Sequence, residues 1–395
     1  MQRSKAIAMD GALATAISFG PARMGFGLFL PQFKNAFNIS TQQAGLIASS
    51  GFAGFFAALL LSGILVSRCG PRYAVVVGAF AAMIGMFMIS VSQSPMFLTA
   101  GVVVASASAG FCWSPFNNAA QRGVEERYQG RTLSIISTGT TGGIALAGLM
   151  AFCVASTEHG WRAAWLVFSV TALIAIVIST LALARLPSEP STNYSHHDAS
   201  LKRLLHHTAW PLYGIALSFG ITNSIYLSFA VNQVDQAGGL SGLATSLSGP
   251  VLYMSFGAAG LFGLATAELH QRLGMPTLVA GIFLASMLSL VLIGITPASW
   301  PGMLASSALQ GMCVMMLSAI FSFWSARLFP ALATVSLTAV LVVFALGNIL
   351  GPVLAGLFQG VMDMTGVFLM AGGLSLATAV VFPLAYRVMF NSQPR

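Results

Sequence analysis

Twelve apolar runs of about 20 to 28 residues divide this 395-residue sequence. They lie near 8–33, 44–67, 73–92, 95–120, 132–156 and 162–186, then 209–233, 243–267, 275–296, 300–327, 331–358 and 364–390. Roughly 20 apolar residues are needed for a helix to cross the hydrocarbon core of a bilayer. Every backbone polar group in lipid must be satisfied internally, which leaves the α-helix as the conformation for runs of this kind. Charged residues make up 7% of the chain, against roughly 25% in soluble domains. The expected fold class is therefore an all-α membrane protein with 12 transmembrane helices. Turn-formers punctuate the joins, at Pro71, Pro95, Pro276, Pro297, Pro301 and Pro330.

Lysine and arginine set the orientation. With both termini cytoplasmic, 14 of the 17 basic residues fall on the inner side, and Lys34 and Arg162 fall outside. The remaining one, Arg23, falls within the membrane. The positive-inside rule is met, and the net charge of +8 is explained by topology without nucleic acid. Arg3 and Lys5 precede an apolar run that continues past Ala14 for a full span, so the start reads as an uncleaved first helix in the cell (inner) membrane. Four scattered cysteines, Cys69, Cys112, Cys153 and Cys313, give neither a disulfide framework nor a metal site. No cofactor is called for, and the chain is expected to act as a monomer in the lipid bilayer.

The longest polar stretch, 187–208, is rich in Ser, His and Pro and reads as a cytoplasmic linker. Its His196–His197 and His206–His207 pairs read as solvated linker. It separates an N-terminal six-helix bundle, 1–186, from a C-terminal one, 209–395. The halves repeat one another. Ser18-Phe19-Gly20 recurs as Ser218-Phe219-Gly220, Arg68-x-Gly70 as Arg272-x-Gly274, and Gly143 as Gly347. Their shared order and near-constant offset point to a duplicated six-helix unit.

The segment Gly63 to Arg72, with Ser67-Arg68-Cys69-Gly70-Pro71-Arg72 at its end, resembles the G-x-x-x-D-R-x-G-R-R loop of the major facilitator superfamily. It matches at Gly63, Arg68, Gly70 and Arg72. A weaker copy, Gln271-Arg272-Leu273-Gly274, lies at the corresponding place in the second half, and Gly160-Trp161-Arg162 is also similar to the family. The resemblance covers nearly the whole chain. It implies two six-helix bundles, alternating access, and a substrate site on the first, fourth, seventh and tenth spans. The chain departs from the family pattern at Ser67, where the loop aspartate would stand. It also lacks an arginine in the fourth run and a G-P-x-x-G signature in the fifth. The eleventh run does carry Gly347-x-x-x-Gly351-Pro352.

Arg23 organises the expected site. It stands 13 residues after Asp10 and 11 before Lys34. At ~1.5 Å rise per residue it is ~16 Å or more from either, too deep to snorkel, so it must face protein or water. Counting from helix ends places Asn223, Tyr253, Gln310 and Asn348 at similar depth. Asn223 is the repeat-equivalent of Arg23. Tyr226 and Trp113 are expected to supply aromatic walls, and Thr140 and Thr141 hydroxyls. Asp10, Glu268 and Asp363 read as helix-end residues, which leaves Arg23 without a membrane counter-ion. A buried unpaired cation is costly, so the expected counter-ion is the substrate, a small organic anion of carboxylate type.

Without a membrane carboxylate, uniport, anion exchange or symport carried by the substrate's charge is favoured over a residue-borne proton relay, though a coupling proton stays open. Glycines four apart, Gly139 and Gly143, Gly347 and Gly351, suit close helix approach, either as static packing or for the rocking of one bundle on the other. Gating falls to Arg68, Gly70, Arg72, Arg272 and Gly274, with Glu125 or Glu126 holding Arg68 in place of the missing aspartate. The alternative function is proton-coupled export of drug-like or amphipathic compounds, which the many Met and Phe residues would suit. A receptor on a transporter scaffold is less favoured, given the short linker. An enzyme is disfavoured, since no nucleophile–base pair or metal cluster lies within the spans.

Overall fold

The computed structural model describes residues 2–155, 160–183, 207–329 and 333–391. Most of the expected linker, 187–208, lies outside them, as do its His196, His197 and His206. Among the described residues the chain is helical throughout, with no strand.

The first span is α1, Gln2–Ile17, a π-helical segment Ser18–Met24, then α2, Gly25–Leu28, and α3, Leu30–Phe37. It was expected to be one helix and is not: Lys5–Leu28 and Leu30–Phe37 meet at 52°. Pro21 sits inside the π segment, where its missing N–H and its ring work against a regular α ladder. The next spans are α4, Thr41–Cys69, and α5, Pro71–Ser90. Ser40 caps α4 through a reciprocal box with Gln43, at 3.1 and 2.8 Å. The fourth run is broken into α6, Pro95–Gly110, and α7, Trp113–Gly123. Pro115 explains the break, since proline cannot continue a helix from the residues four before it. Then come α8, Glu126–Val154, and α9, Gly160–Ala182.

The second half runs α10, Trp210–Gln236; α11, Thr245–Gly260; and, after a 3₁₀ turn at Leu261–Ala265, α12, Thr266–Leu273. It ends with α13, Met275–Ile295; α14, Trp300–Leu328; α15, Ala333–Phe358; and α16, Met364–Asn391. Among the described residues ten helices are long and apolar enough to cross a membrane, or 11 if the bent first pair counts as one span, and α6 is a shorter apolar helix, in keeping with about 12 helices. Large apolar side chains such as Leu61, Ile64, Leu181 and Val380 stand outward, as a lipid-facing surface requires.

Two turns repeat closely. Gly70 (φ +84°) joins α4 to α5 and Gly274 (φ +73°) joins α12 to α13, each with ψ near 165°. Each glycine N–H donates to the carbonyl four residues back, Val66 and His270, at 3.0 and 2.9 Å. Few side chains tolerate that backbone, which is why both turns need glycine. Packing repeats as well. A Cβ at Gly139 or Gly143 of α8 would strike the carbonyls of Ala12 and Ala16 on α1. At Gly347 or Gly351 of α15 it would strike those of Leu217 and Ile221 on α10, at 2.5 Å in both cases.

These glycine seams join helices of the same half. Of the two uses open to such seams, a rocking interface and static close packing, the contacts here are tight packing within each half. The halves meet through other positions. Gly45 of α4 abuts the Pro352 carbonyl, Gly27 of α2 abuts the Leu227 carbonyl, and Gly148 of α8 lies against α11, 2.8 Å from the Pro250 carbonyl to a Cβ placed there. Ser49 donates to the Ile349 carbonyl at 2.7 Å. Tyr253 Oη donates to the carbonyls of Met24 at 2.8 Å and Leu227 at 3.3 Å. Most of these contacts lie toward one end of the bundle, the end where α4 begins and α10 finishes. That end is shut.

Candidate functional site

At the opposite end, where the Gly70 and Gly274 turns lie, the halves stand apart around a cavity of about 360 Å³. Its floor is Arg23 and Met24 at the end of the π segment, and its walls come from α8, the α11–α12 turn, α14 and α15. Arg23 is 7% exposed. Its guanidinium carbon lies 4.0 Å from the centre of the Phe55 ring, 5.3 Å from Phe19 and 5.6 Å from Phe52. Those rings supply cation–π attraction. They accept no N–H in the plane of the fork, and Nε has no hydrogen-bond partner among the described residues. No acidic side chain among them pairs with it.

Five of the nine expected site residues reach the cavity wall: Arg23, Trp113, Thr140, Thr141 and Asn223. Trp113 packs edge-on against Phe19, 5.9 Å between ring centres, and so braces the ring that flanks Arg23. The other four are turned into packing. Tyr226 is fully buried, stacked on Phe256 and accepting from Ser306 at 3.2 Å. Tyr253 spans the shut end, as described above. Gln310 donates to Asn223 Oδ1 at 3.2 Å, so it positions a wall residue from behind. Asn348 donates to the Phe344 carbonyl at 2.9 Å.

Other wall residues were passed over. Ser134, Ser137 and Thr138 of α8 line the cavity with Thr141, and Ser318 and Ser322 of α14 do so opposite. Positions 134, 137, 138 and 141 have the spacing of a single helix face, so this hydroxyl stripe was legible in the sequence. Val314, Met315, Phe321, Leu341 and Phe344 form an apolar wall facing it.

The expected gating residues lie at the open end. Arg68 is exposed, and Glu125 pairs with Arg127 at 2.8 Å rather than with Arg68. The side chain of Glu126 is outside the described residues. Arg272 pairs with Glu268 on the exposed face of α12. Arg72 is partly buried beside the Gly70 turn. Asp10, read as a helix-end residue, is covered by a neighbouring helix: it is 2% exposed and accepts from Ser179 of α9 at 2.6 Å. Depth counted along one helix gives no warning that a neighbouring helix covers the side chain.

The sequence profile of the Major Facilitator Superfamily matches residues 12–330. The chain belongs to the major facilitator superfamily. It is thus a multi-pass membrane transporter. The human monocarboxylate transporter 11 is 26% identical to it over 380 residues, covering 93% of this chain and 79% of that protein. Among solved structures, a bacterial homolog of the human lysosomal transporter Spinster, in an inward-facing and unoccupied conformation, superposes with a TM-score of 0.74 at 15% identity, covering 100% of this chain and 99% of that one. A POT family transporter in complex with 5-aminolevulinic acid gives 0.77 at 14%, covering 97% and 96%. A D-xylose-proton symporter gives 0.73 at 14%, covering 95% and 96%. At such identities the structural likeness bears on fold alone.

Proposed function

We propose that this transporter carries a small organic anion with a single carboxylate and an apolar body, bound at Arg23. The observation that carries the reading is a guanidinium on the cavity floor, flanked by rings and without a protein carboxylate among the described residues. A carboxylate entering from the open side would meet the free fork and supply charge-assisted hydrogen bonds that the rings do not. Among the described residues no second cation lines the cavity, which favours one negative charge over two. The α8 hydroxyls would hold polar substituents, and the Met315–Phe321–Phe344 wall would take the hydrocarbon. The name of the human relative points the same way. By alternating access the two halves, taken as 1–186 and 209–395, would rock about this floor, with Arg68, Arg72, Glu125 and Arg272 working the open end. The clustering of basic residues there supports reading it as the cytoplasmic side, in keeping with the expected cell (inner) membrane.

The test is flux into proteoliposomes of a carboxylate panel that includes phenylpyruvate, with wild type beside two variants. A charge-assisted hydrogen bond contributes roughly 1.5–3 kcal/mol, so Arg23→Ala is expected to weaken uptake about 10- to 150-fold. Arg23→Lys keeps the charge and loses the fork, for an expected loss of ~10-fold. Carboxylate uptake that Arg23→Ala leaves intact would refute the assignment. The apolar wall favours a second reading, export of neutral amphipathic compounds, which predicts flux indifferent to both substitutions.

A further inference from the structure

Arg23 borders a second, much smaller pocket on the side away from the large cavity. Its volume is about 10 Å³, against about 360 Å³ for the cavity, which is on the order of a single water-sized occupant. It lies where the halves meet, between Arg23 and the Gly27–Leu227 contact of the shut end. Three polar side chains line it. Arg23 comes from the π segment, Ser106 from α6 in the first half, and Ser228 from α10 in the second. Both serines are buried, at 2% and 3% exposed. Neither hydroxyl has a hydrogen-bond partner among the described residues, whereas Ser224, one turn before Ser228, donates to the Ile221 carbonyl at 3.0 Å. Phe26, Ala48, Phe52 and Val102 make the rest of the wall apolar, and no acidic side chain among the described residues lines it.

A guanidinium, which has no acceptor, and two hydroxyls form a positively charged cage of hydrogen-bond donors. Water fits by size, but its hydrogens find no acceptor on the guanidinium, and its neutrality leaves the buried charge uncompensated. A carboxylate or a sulfate is too large. A monatomic monovalent anion meets all the conditions: one atom in size, one negative charge, and a need for donors only. We propose that this pocket binds one chloride ion, held by the Arg23 guanidinium and the hydroxyls of Ser106 and Ser228. Those hydroxyls come from opposite halves, so the ion ties the halves together at the shut end and gives Arg23 a counter-charge there. A solute in the large cavity would meet the same guanidinium from its other side. The chloride site does not depend on which solute that is.

Crystals of the full chain grown in bromide give the direct test, since bromide replaces chloride and scatters anomalously. One peak is expected between Arg23, Ser106 and Ser228. In detergent, chloride exchanged for gluconate at constant ionic strength should raise the melting temperature along a saturating curve. Bromide should act alike and sulfate should not. Ser106→Ala and Ser228→Ala should each raise the half-saturating chloride concentration about 10-fold or more. Spin labels at Gln42 and Gln236, exposed at the shut end, should report shorter separations as chloride rises in a cysteine-free background. A site that holds water and no bromide, a melting temperature indifferent to chloride, or an unaltered chloride dependence in both serine variants would overturn the proposal. A label separation that chloride leaves unmoved would overturn the tie between the halves. The bromide map and the wild-type titration decide the matter even if a serine variant fails to fold. Neither uses a transported carboxylate, so a failure of the anion assignment shows separately.

Discussion

Gly27 is where the two halves come closest at the shut end, and it offers a direct handle on the conformational equilibrium. A Cβ there would overlap the carbonyl oxygen of Leu227 and approach the Tyr253 hydroxyl to 3.1 Å. The first obstacle is backbone inside α10, a buried helix, so no rotamer change can clear it. Overpacking of this kind costs about 1–3 kcal/mol, and it applies only while the halves touch. Gly27→Ala should therefore shift the equilibrium toward opening of this end by about 5- to 150-fold. The assay is a pair of spin labels at Gln42 and Gln236, both exposed at the shut end, in a cysteine-free background. The distance distribution should broaden to longer separations in Gly27→Ala. Gly130→Ala, where nothing lies within 4 Å of the new carbon, is the control. An unchanged distribution in Gly27→Ala, or an equal shift in the control, would refute the reasoning.

Tyr253→Phe removes a hydroxyl that bonds carbonyls on both sides of the same interface, Met24 at 2.8 Å and Leu227 at 3.3 Å. At about 0.5–1.5 kcal/mol per net hydrogen bond, it should open that end about 2- to 10-fold, read by the same label pair. Gly274→Ala forces a Cβ onto a backbone at φ +73° in an otherwise open site, so strain and not contact is tested. A loss of about 1–3 kcal/mol is expected, measured as a lower melting temperature in detergent.

The helix count and the turns were legible because length, proline and positive-φ glycine act locally. Gly70 and Gly274 are cases in point: the repeated Arg-x-Gly predicted paired turns, and the backbone angles agree. The depth of Arg23 was also legible, since nothing charged stands near it along the chain. What could not be read was azimuth. Tyr226, Gln310 and Asn348 have the right depth but face packing, and helices this uniformly apolar carry little periodic signal to fix their rotation. The burial of Asp10 was hidden for a related reason, since Ser179 of α9, which bonds it, lies some 170 residues away. The breaks at 111–112 and at Phe29 had visible prolines, Pro115 and Pro31, and the π segment has Pro21, but the apolar run around each hid its effect.

The π-helical stretch from Ser18 to Met24 has a geometric consequence for the cation at its end. Such a coil holds one residue more per turn than its α-helical neighbours. If it relaxed to the ordinary winding, everything on one side of it would rotate by about 100° relative to the other. Arg23 would then swing off the Phe55 ring, although nothing beyond this single span had been redesigned. The cation on the cavity floor is thus mounted on a swivel, and a one-residue insertion or deletion between Ser18 and Met24 would turn it.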